Sequence, residues 1–196
     1  GIALLGSLAT GSAMALTTPG ALGGEGADKK AAVALAMNHF GVSEADLKKV
    51  LAAALEKGGD YADLFFEHTI SNSIRLMDGA VNNSYSNIDY GVGVRVLIGD
   101  QSGYAYVENI TVEDMLKAAR TAARIASANK GNKPLNLPEK ELKKNYYTVA
   151  SPGEEVSLKD KMPYLQKLND RIFALDKRVH KVQASQSDTT SHIFFC

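Results

Sequence analysis

Residues 90–98, YGVGVRVLI, combine side chains that could recognise a peptide. Valines fill alternate positions of this predicted strand, whereas Gly91 and Gly93 leave its other side bare beside Arg95. Glycine within a strand often marks the close approach of a ligand or another backbone, and a guanidinium binds carboxylates. We predict Gly91, Gly93 and Arg95 as a substrate-binding site for an extended peptide. The structural alternative places a helix or bulge on the glycines and Arg95 in an internal ion pair.

Other groups of reactive side chains carry weaker signals. The four histidines include no pair at i, i+4 spacing and no H-E-x-x-H motif, so a metal site built from this chain alone is not expected. His180 and His192 could approach each other across a final hairpin near Cys196, although ordinary surface histidines are favoured. For Asp60, Asp63 and Glu67, a solvated strand face is favoured over acid–base chemistry. No catalytic residue is predicted.

Composition excludes some classes of partner. The chain has 196 residues, of which 45% are hydrophobic, so it is long enough to bury a core. Its 22 basic residues balance 22 acidic ones, and binders of nucleic acid normally show a basic excess. We therefore predict no nucleic-acid binding, and no apolar segment is long enough for a membrane span.

The first 27 residues are predicted to lie outside the folded domain, which we place at residues 28–196. Residues 1–16 resemble a remnant of a secretory signal without its basic segment, and an alanine-rich lead-in helix is the alternative. A glycine-rich linker follows. The protein is extracytoplasmic, for example periplasmic, if the signal interpretation holds, and cytoplasmic otherwise.

The remaining pattern predicts an α+β fold, a largely antiparallel sheet or β-meander flanked by helices. Capping signals begin helices near Ser43 and Thr111, and Asp78-Gly79 is a hairpin turn between alternating segments. A helix at 157–176 carries one apolar stripe, with Pro163 expected to kink or restart it. The pattern predicts helices at 43–57 and 157–176, and strands at 81–86, 90–98, 104–108, 145–149, 179–185 and 191–196. The final HIFFC is apolar and strand-like, so we expect the polypeptide to continue.

Residues 61–126 resemble the N-terminal region of the TldD/PmbA family, the "modulators of DNA gyrase". The shared elements follow the family's order: YADL, a strand ending in Asp-Gly, SYSNID, GVGVR, GYAY and an alanine-rich helix. The sequence NIDYGVGVR is more similar to the TldD branch than to the PmbA branch. The resemblance implies a metallopeptidase in which an N-terminal α+β domain precedes a β-rich domain, with partners assembled as homo- or heterodimers around an enclosed cavity.

In the TldD branch an H-E-x-x-x-H helix supplies zinc ligands and the general base. This motif is absent here, so zinc is expected only in the full-length protein, and this chain alone is expected to be inactive. The resemblance implies a domain that helps to wall the cavity and guides peptides or unfolded proteins. The alternative is a non-catalytic, PmbA-like partner or scaffold that binds extended peptides.

Overall fold

The computed structural model describes residues 9–14, 27–126 and 155–196, which form five strands and four helices. In chain order these are β1 (Ala9–Met14), α1 (Ala27–Phe40), α2 (Glu44–Leu55), β2 (Tyr61–Met77), β3 (Ala80–Ile98), β4 (Gln101–Val107), α3 (Val112–Ala126), α4 (Leu158–Leu175) and β5 (Gln183–Phe195). The strands form one sheet in the order β1-β5-β2-β3-β4. The predicted α+β class, with antiparallel strands flanked by helices, is confirmed.

Antiparallel pairing follows from short turns and from the register. Asp78 and Gly79 both have positive φ, 51° and 80°, as a two-residue hairpin turn between β2 and β3 requires. β3 pairs with β4 from Val92↔Val107 to Ile98↔Gln101. Leu64 and Cys196 exchange both main-chain hydrogen bonds, at 2.7 and 3.0 Å, which is the antiparallel pattern for β2 and β5.

The helices begin where their caps predict. Ser43 accepts a hydrogen bond from the Asp46 main chain, and the Asp46 carboxylate accepts one from the Ser43 N–H, which completes a capping box for α2. Thr111 caps α3 in the same way by accepting from the Asp114 N–H at 3.1 Å. Both helix starts were predicted from these residues.

The packing divides the chain into two compact units, each described on its own. The first, here called the α3 unit, contains the described residues 27–68, 90–126 and 192–196. In it, α3 packs on β4 and α2, and its small inward residues Ala119, Ala122 and Ala126 are completely buried. Leu64 and Phe66 of β2 join this core, and burying each stabilises the fold by roughly 1.5–3 kcal/mol.

The second, here called the α4 unit, contains residues 9–14, 69–89 and 155–191. Its apolar core is small: Leu165 of α4 packs on Ile74, Leu76 and Ala184. Hydroxyl pairs across β2 and β5, such as Thr69 with Ser191 at 2.9 Å, supplement it. This unit therefore combines a small apolar core with a row of polar contacts between two strands.

The structure corrects several predicted elements. The end of the chain is one strand, β5, rather than a hairpin, and Ala9–Met14 is a strand rather than part of a lead-in helix. α4 continues through Pro163. Only part of its apolar stripe is buried: Leu165 packs on the sheet, whereas Leu168 and Leu175 are exposed and Lys161 and Asn169 are buried. The strand predicted at 145–149 lies outside the described residues.

No helix in residues 27–126 or 155–196 is long and apolar enough to cross a membrane.

Candidate functional site

Arg95 lies in β3 and pairs with a carboxylate that the sequence analysis assigned to solvent. Its Nε and Nη2 donate hydrogen bonds of 2.9 and 2.6 Å to Oδ2 of Asp63. The Asp63 side chain is only 5% exposed, whereas that of Arg95 is 47% exposed. The expectation of a solvated face for Asp63 was therefore wrong, because the neighbouring strand supplies a cation that compensates its buried charge.

The two predicted glycines lie where neighbouring groups approach the backbone closely. A Cβ on Gly91 would come within 2.5 Å of the Val107 carbonyl oxygen, and one on Gly93 would overlap the hydroxyl and ring of Tyr104. Internal packing thus accounts for the missing side chains. The ring of Tyr104 covers the surface that Gly93 leaves bare.

Tyrosines surround Arg95 and define what we call the Arg95 surface: Tyr61, Asp63, Arg95, Tyr104 and Tyr106. Tyr104 stands opposite Arg95 in the β3–β4 register, and Tyr106 stands opposite Gly93. Both phenols are more than half exposed. Burial, followed by the negative charge of Asp63, raises the pKa of Tyr61, so this phenol stays protonated and can donate a hydrogen bond. The surface combines a half-exposed cation with flat amphipathic rings, which suits an extended peptide.

Three histidines meet in the α3 unit, and only one of them, His192, was suggested by the sequence. His39, His68 and His192 have ring centroids 4.4–5.9 Å apart, and His39 Nε2 lies 2.9 Å from His68 Nδ1. The three ring planes are tilted relative to one another by 31–35°. The expected approach of His180 to His192 does not occur, because β5 is a single strand. Among the described residues, no group of three or more ligands is placed to hold a metal ion.

Cys196 is partly buried beside β2, and this predicts a measurable loss of reactivity. Burial, followed by the charge of Asp63, raises the pKa of its thiol to about 12. Since the thiolate is the nucleophile, we expect labelling at pH 8 to be roughly 1,000-fold slower in the folded protein than in denaturant. The protonated thiol of Cys196 contributes to the free energy of unfolding. This contribution is present below pH 9.0, the pKa of the thiol in the unfolded chain, and is lost as the pH rises towards about 12.

Because Cys196 is the sole cysteine, thiol labelling followed by mass measurement checks this directly. A matched control carries Cys196→Ser with Ser102→Cys, which moves the thiol to an exposed position of β4. Equal rates for Cys196 in folded and denatured protein would contradict the burial.

Comparison with known proteins identifies the family of this domain. The family model for PmbA/TldA metallopeptidase domain 1 matches residues 62–126, which include β3, β4, α3 and all of the Arg95 surface except Tyr61. The chain carries a first domain of the PmbA/TldD family. The resemblance stated from GVGVR and its flanking elements is thereby confirmed.

Relatives show how much of a PmbA/TldD protein this chain represents. A metalloprotease TldD homolog of Haemophilus influenzae is 30% identical over 138 residues, covering 68% of this chain and 28% of the relative. The homolog of Buchnera aphidicola subsp. Acyrthosiphon pisum is 27% identical over 157 residues, covering 80% and 32%. The chain therefore spans about a third of the length of these curated relatives.

Solved structures support the same fold at lower identity. A Bacteroides thetaiotaomicron protein, named as a modulator of DNA gyrase, superposes with a TM-score of 0.56 at 12% identity, covering 78% of this chain and 36% of that one. A Thermotoga maritima protein of the same name gives 0.50 at 18% identity, covering 78% and 38%. These likenesses establish the PmbA/TldD fold and leave function to be argued from the site.

Proposed function

We propose that this chain is the N-terminal domain of a TldD-like zinc metallopeptidase that cleaves peptides or unfolded proteins. In this proposal the domain forms part of the wall of the proteolytic cavity and guides substrate past the Arg95 surface. The observation that carries the peptide contact is the half-exposed Arg95, which is held by Asp63 and stands opposite Tyr104. The family match supports the link to peptide hydrolysis.

The hydrogen bonds of Arg95 leave part of its guanidinium available to substrate. Asp63 engages Nε and Nη2, so Nη1 can donate to a carboxylate or a main-chain carbonyl of a bound peptide. Asp63 also restricts the rotamers of Arg95, which lowers the entropic cost of binding. The exposed phenols of Tyr104 and Tyr106 add contact area with few rotatable bonds.

Catalysis is assigned to residues outside this chain. The TldD-type zinc motif H-E-x-x-x-H is not in this sequence, so we propose that the zinc ligands belong to a further domain. A bound zinc ion would polarise a water molecule for attack on a peptide carbonyl. The role of this domain is to bind and orient the chain that is cleaved, within a homo- or heterodimer of TldD/PmbA-like subunits.

The protein encoded by the complete reading frame tests this function. We expect about one zinc ion per polypeptide, cleavage of an unfolded peptide, and loss of cleavage on chelation that zinc restores. Peptide binding without metal or cleavage would instead support the non-catalytic, PmbA-like scaffold. A complete protein that neither binds nor cleaves unfolded peptides would overturn both proposals.

Removing Arg95 is expected to weaken peptide binding by roughly tenfold, because a charge-assisted hydrogen bond to the ligand is lost. The probe is acetyl-Ala-Ser-Ala with a free carboxylate, titrated into the isotope-labelled chain while the amide signals of Tyr104 and Tyr106 are followed by NMR. Arg124→Ala is the matched control, because Arg124 is exposed on α3 and donates hydrogen bonds to Arg120 and Thr121 of the same helix.

Arg95→Ala leaves the buried Asp63 carboxylate without its cation. Tyr104→Ala therefore serves as a second variant, which keeps the ion pair. We expect it to weaken binding too, with the fold intact. Equal affinities for wild type, Arg95→Ala and Tyr104→Ala would exclude the Arg95 surface as a peptide contact.

A further inference from the structure

The α4 unit contains an open cleft between the start of α4 and the strands β2, β3 and β5. Its volume is about 360 Å³, within the roughly 300–1,000 Å³ typical of ligand pockets. Polar side chains from each of these strands line the cleft, among them Asn72, Ser84, Ser86 and Gln186. We call this feature the Asn72 cleft.

An ion pair that is largely withdrawn from solvent lies within the lining of this cleft. Lys161 Nζ contacts Asp188 Oδ2 at 2.8 Å, and their side chains are 8% and 13% exposed. Asn72 Nδ2 donates to the other carboxylate oxygen at 3.1 Å. Buried ion pairs are often no more stabilising than apolar packing, so burial of this pair is weak evidence for a role in stability alone.

The charges of the lining select the class of ligand. Lys161 and Asp188 compensate each other, and no other charged residue lines the cleft within the described chain. An anionic or cationic ligand would therefore find no uncompensated partner. Hydroxyl and carboxamide groups each offer a donor and an acceptor, so the cleft matches an uncharged ligand in which donors and acceptors alternate.

Apolar side chains narrow the choice among neutral ligands. Ile74, Val156 and Leu158 line the cleft beside its polar groups. A peptide main chain alternates N–H and C=O groups and carries side chains that contact apolar walls. A sugar carries hydroxyls around most of its perimeter and would leave these apolar groups poorly matched.

We propose that the Asn72 cleft binds the main chain of an uncharged, extended peptide segment. The choice of a peptide as the ligand class rests on the proposed function. That function places its peptide contact elsewhere, at the Arg95 surface. The two contacts differ in chemistry: a free carboxylate favours the Arg95 surface, whereas the Asn72 cleft takes a capped, neutral segment.

The test uses the isotope-labelled 196-residue chain and acetyl-Ala-Ser-Ala-amide as probe. We expect saturable NMR shifts at the Asn72, Ser84, Ser86 and Gln186 amides, with a dissociation constant in the millimolar range. Ser86→Leu narrows the cleft and should abolish these shifts. Asn82→Leu is the matched control, since it adds the same side chain at an exposed position of β3 outside the cleft.

Gln186→Ala is a second variant, which removes one donor–acceptor group without adding bulk, and it should weaken binding severalfold. No saturable shift at the cleft, shifts that survive Ser86→Leu, or shifts caused by glucose and not by the capped peptide would each overturn the inference. Shifts confined to the Arg95 surface would overturn it while sparing the proposed peptide contact there. If the free-carboxylate peptide and the capped peptide both shifted signals in the cleft alone, the inference would be supported and the Arg95 surface would be excluded as a peptide contact.

Discussion

Replacing Gly103 with alanine is expected to destabilise the protein by at least about 3 kcal/mol, because the new methyl group overpacks a rigid junction. Gly103 lies in β4, where α3 crosses the strand. A Cβ there would overlap the Ala122 carbonyl oxygen and come within 2.7 Å of the Ala126 amide nitrogen. Both obstacles are helix backbone, so relief requires a shift of α3 as a whole.

The loss is a large fraction of the roughly 5–15 kcal/mol that stabilises a typical domain. Chemical denaturation followed by circular dichroism measures it. Gly93→Ala is the matched control: its obstacle is the exposed ring of Tyr104, which can rotate away, so we expect a much smaller loss. Similar losses for the two variants would contradict the close contact between α3 and β4.

Local sequence signals predicted the parts of the fold that depend on neighbouring residues. The starts of α2 and α3 follow from capping residues three positions apart, and the β2–β3 turn follows from Asp78-Gly79. The alanine-rich helix that follows GYAY is α3, and a helical period of 3.6 places its buried Ala119, Ala122 and Ala126 on one face. Each of these features is encoded within a few consecutive residues.

Long-range pairing explains what the sequence did not reveal. Arg95 was predicted as a site residue, but its partner Asp63 lies 32 residues away, and only the pairing of β2 with β3 brings them together. β5 was missed as a continuous strand because its central residues, SQSDTTS, lack apolar alternation. Their hydroxyls instead match those of β2, as in the pair Ser187 and Ser73.

The inward face of α4 was predicted only in part, for the same reason. Apolar periodicity placed Leu165, Leu168 and Leu175 on one side of the helix, whereas the structure buries Leu165 together with Lys161 and Asn169. The strand surface that α4 meets contains Asp188 and Asn72, and a buried carboxylate requires a cation. Helix periodicity contains no information about the polarity of the surface that the helix will meet.

Removing one partner of this pair therefore has the second large expected effect. Lys161→Met should destabilise the protein by about 3–5 kcal/mol, because it leaves the Asp188 carboxylate buried without its cation. Methionine retains most of the apolar stem of lysine, so lost packing contributes little. Denaturant titration with a probe in the α4 unit, such as the NMR signals of Leu165 and Ile74, reports the change.

The double variant Lys161→Met with Asp188→Asn separates the charge from the packing. Both charges are then absent, and the oxygen of the new carboxamide can still accept the hydrogen bond from Asn72, so stability should return to within about 1 kcal/mol of wild type. A double variant as unstable as Lys161→Met would show that the ion pair itself stabilises α4 on the sheet. Recovery of stability with loss of capped-peptide binding would instead indicate that the pair is retained for the Asn72 cleft, whose lining it completes.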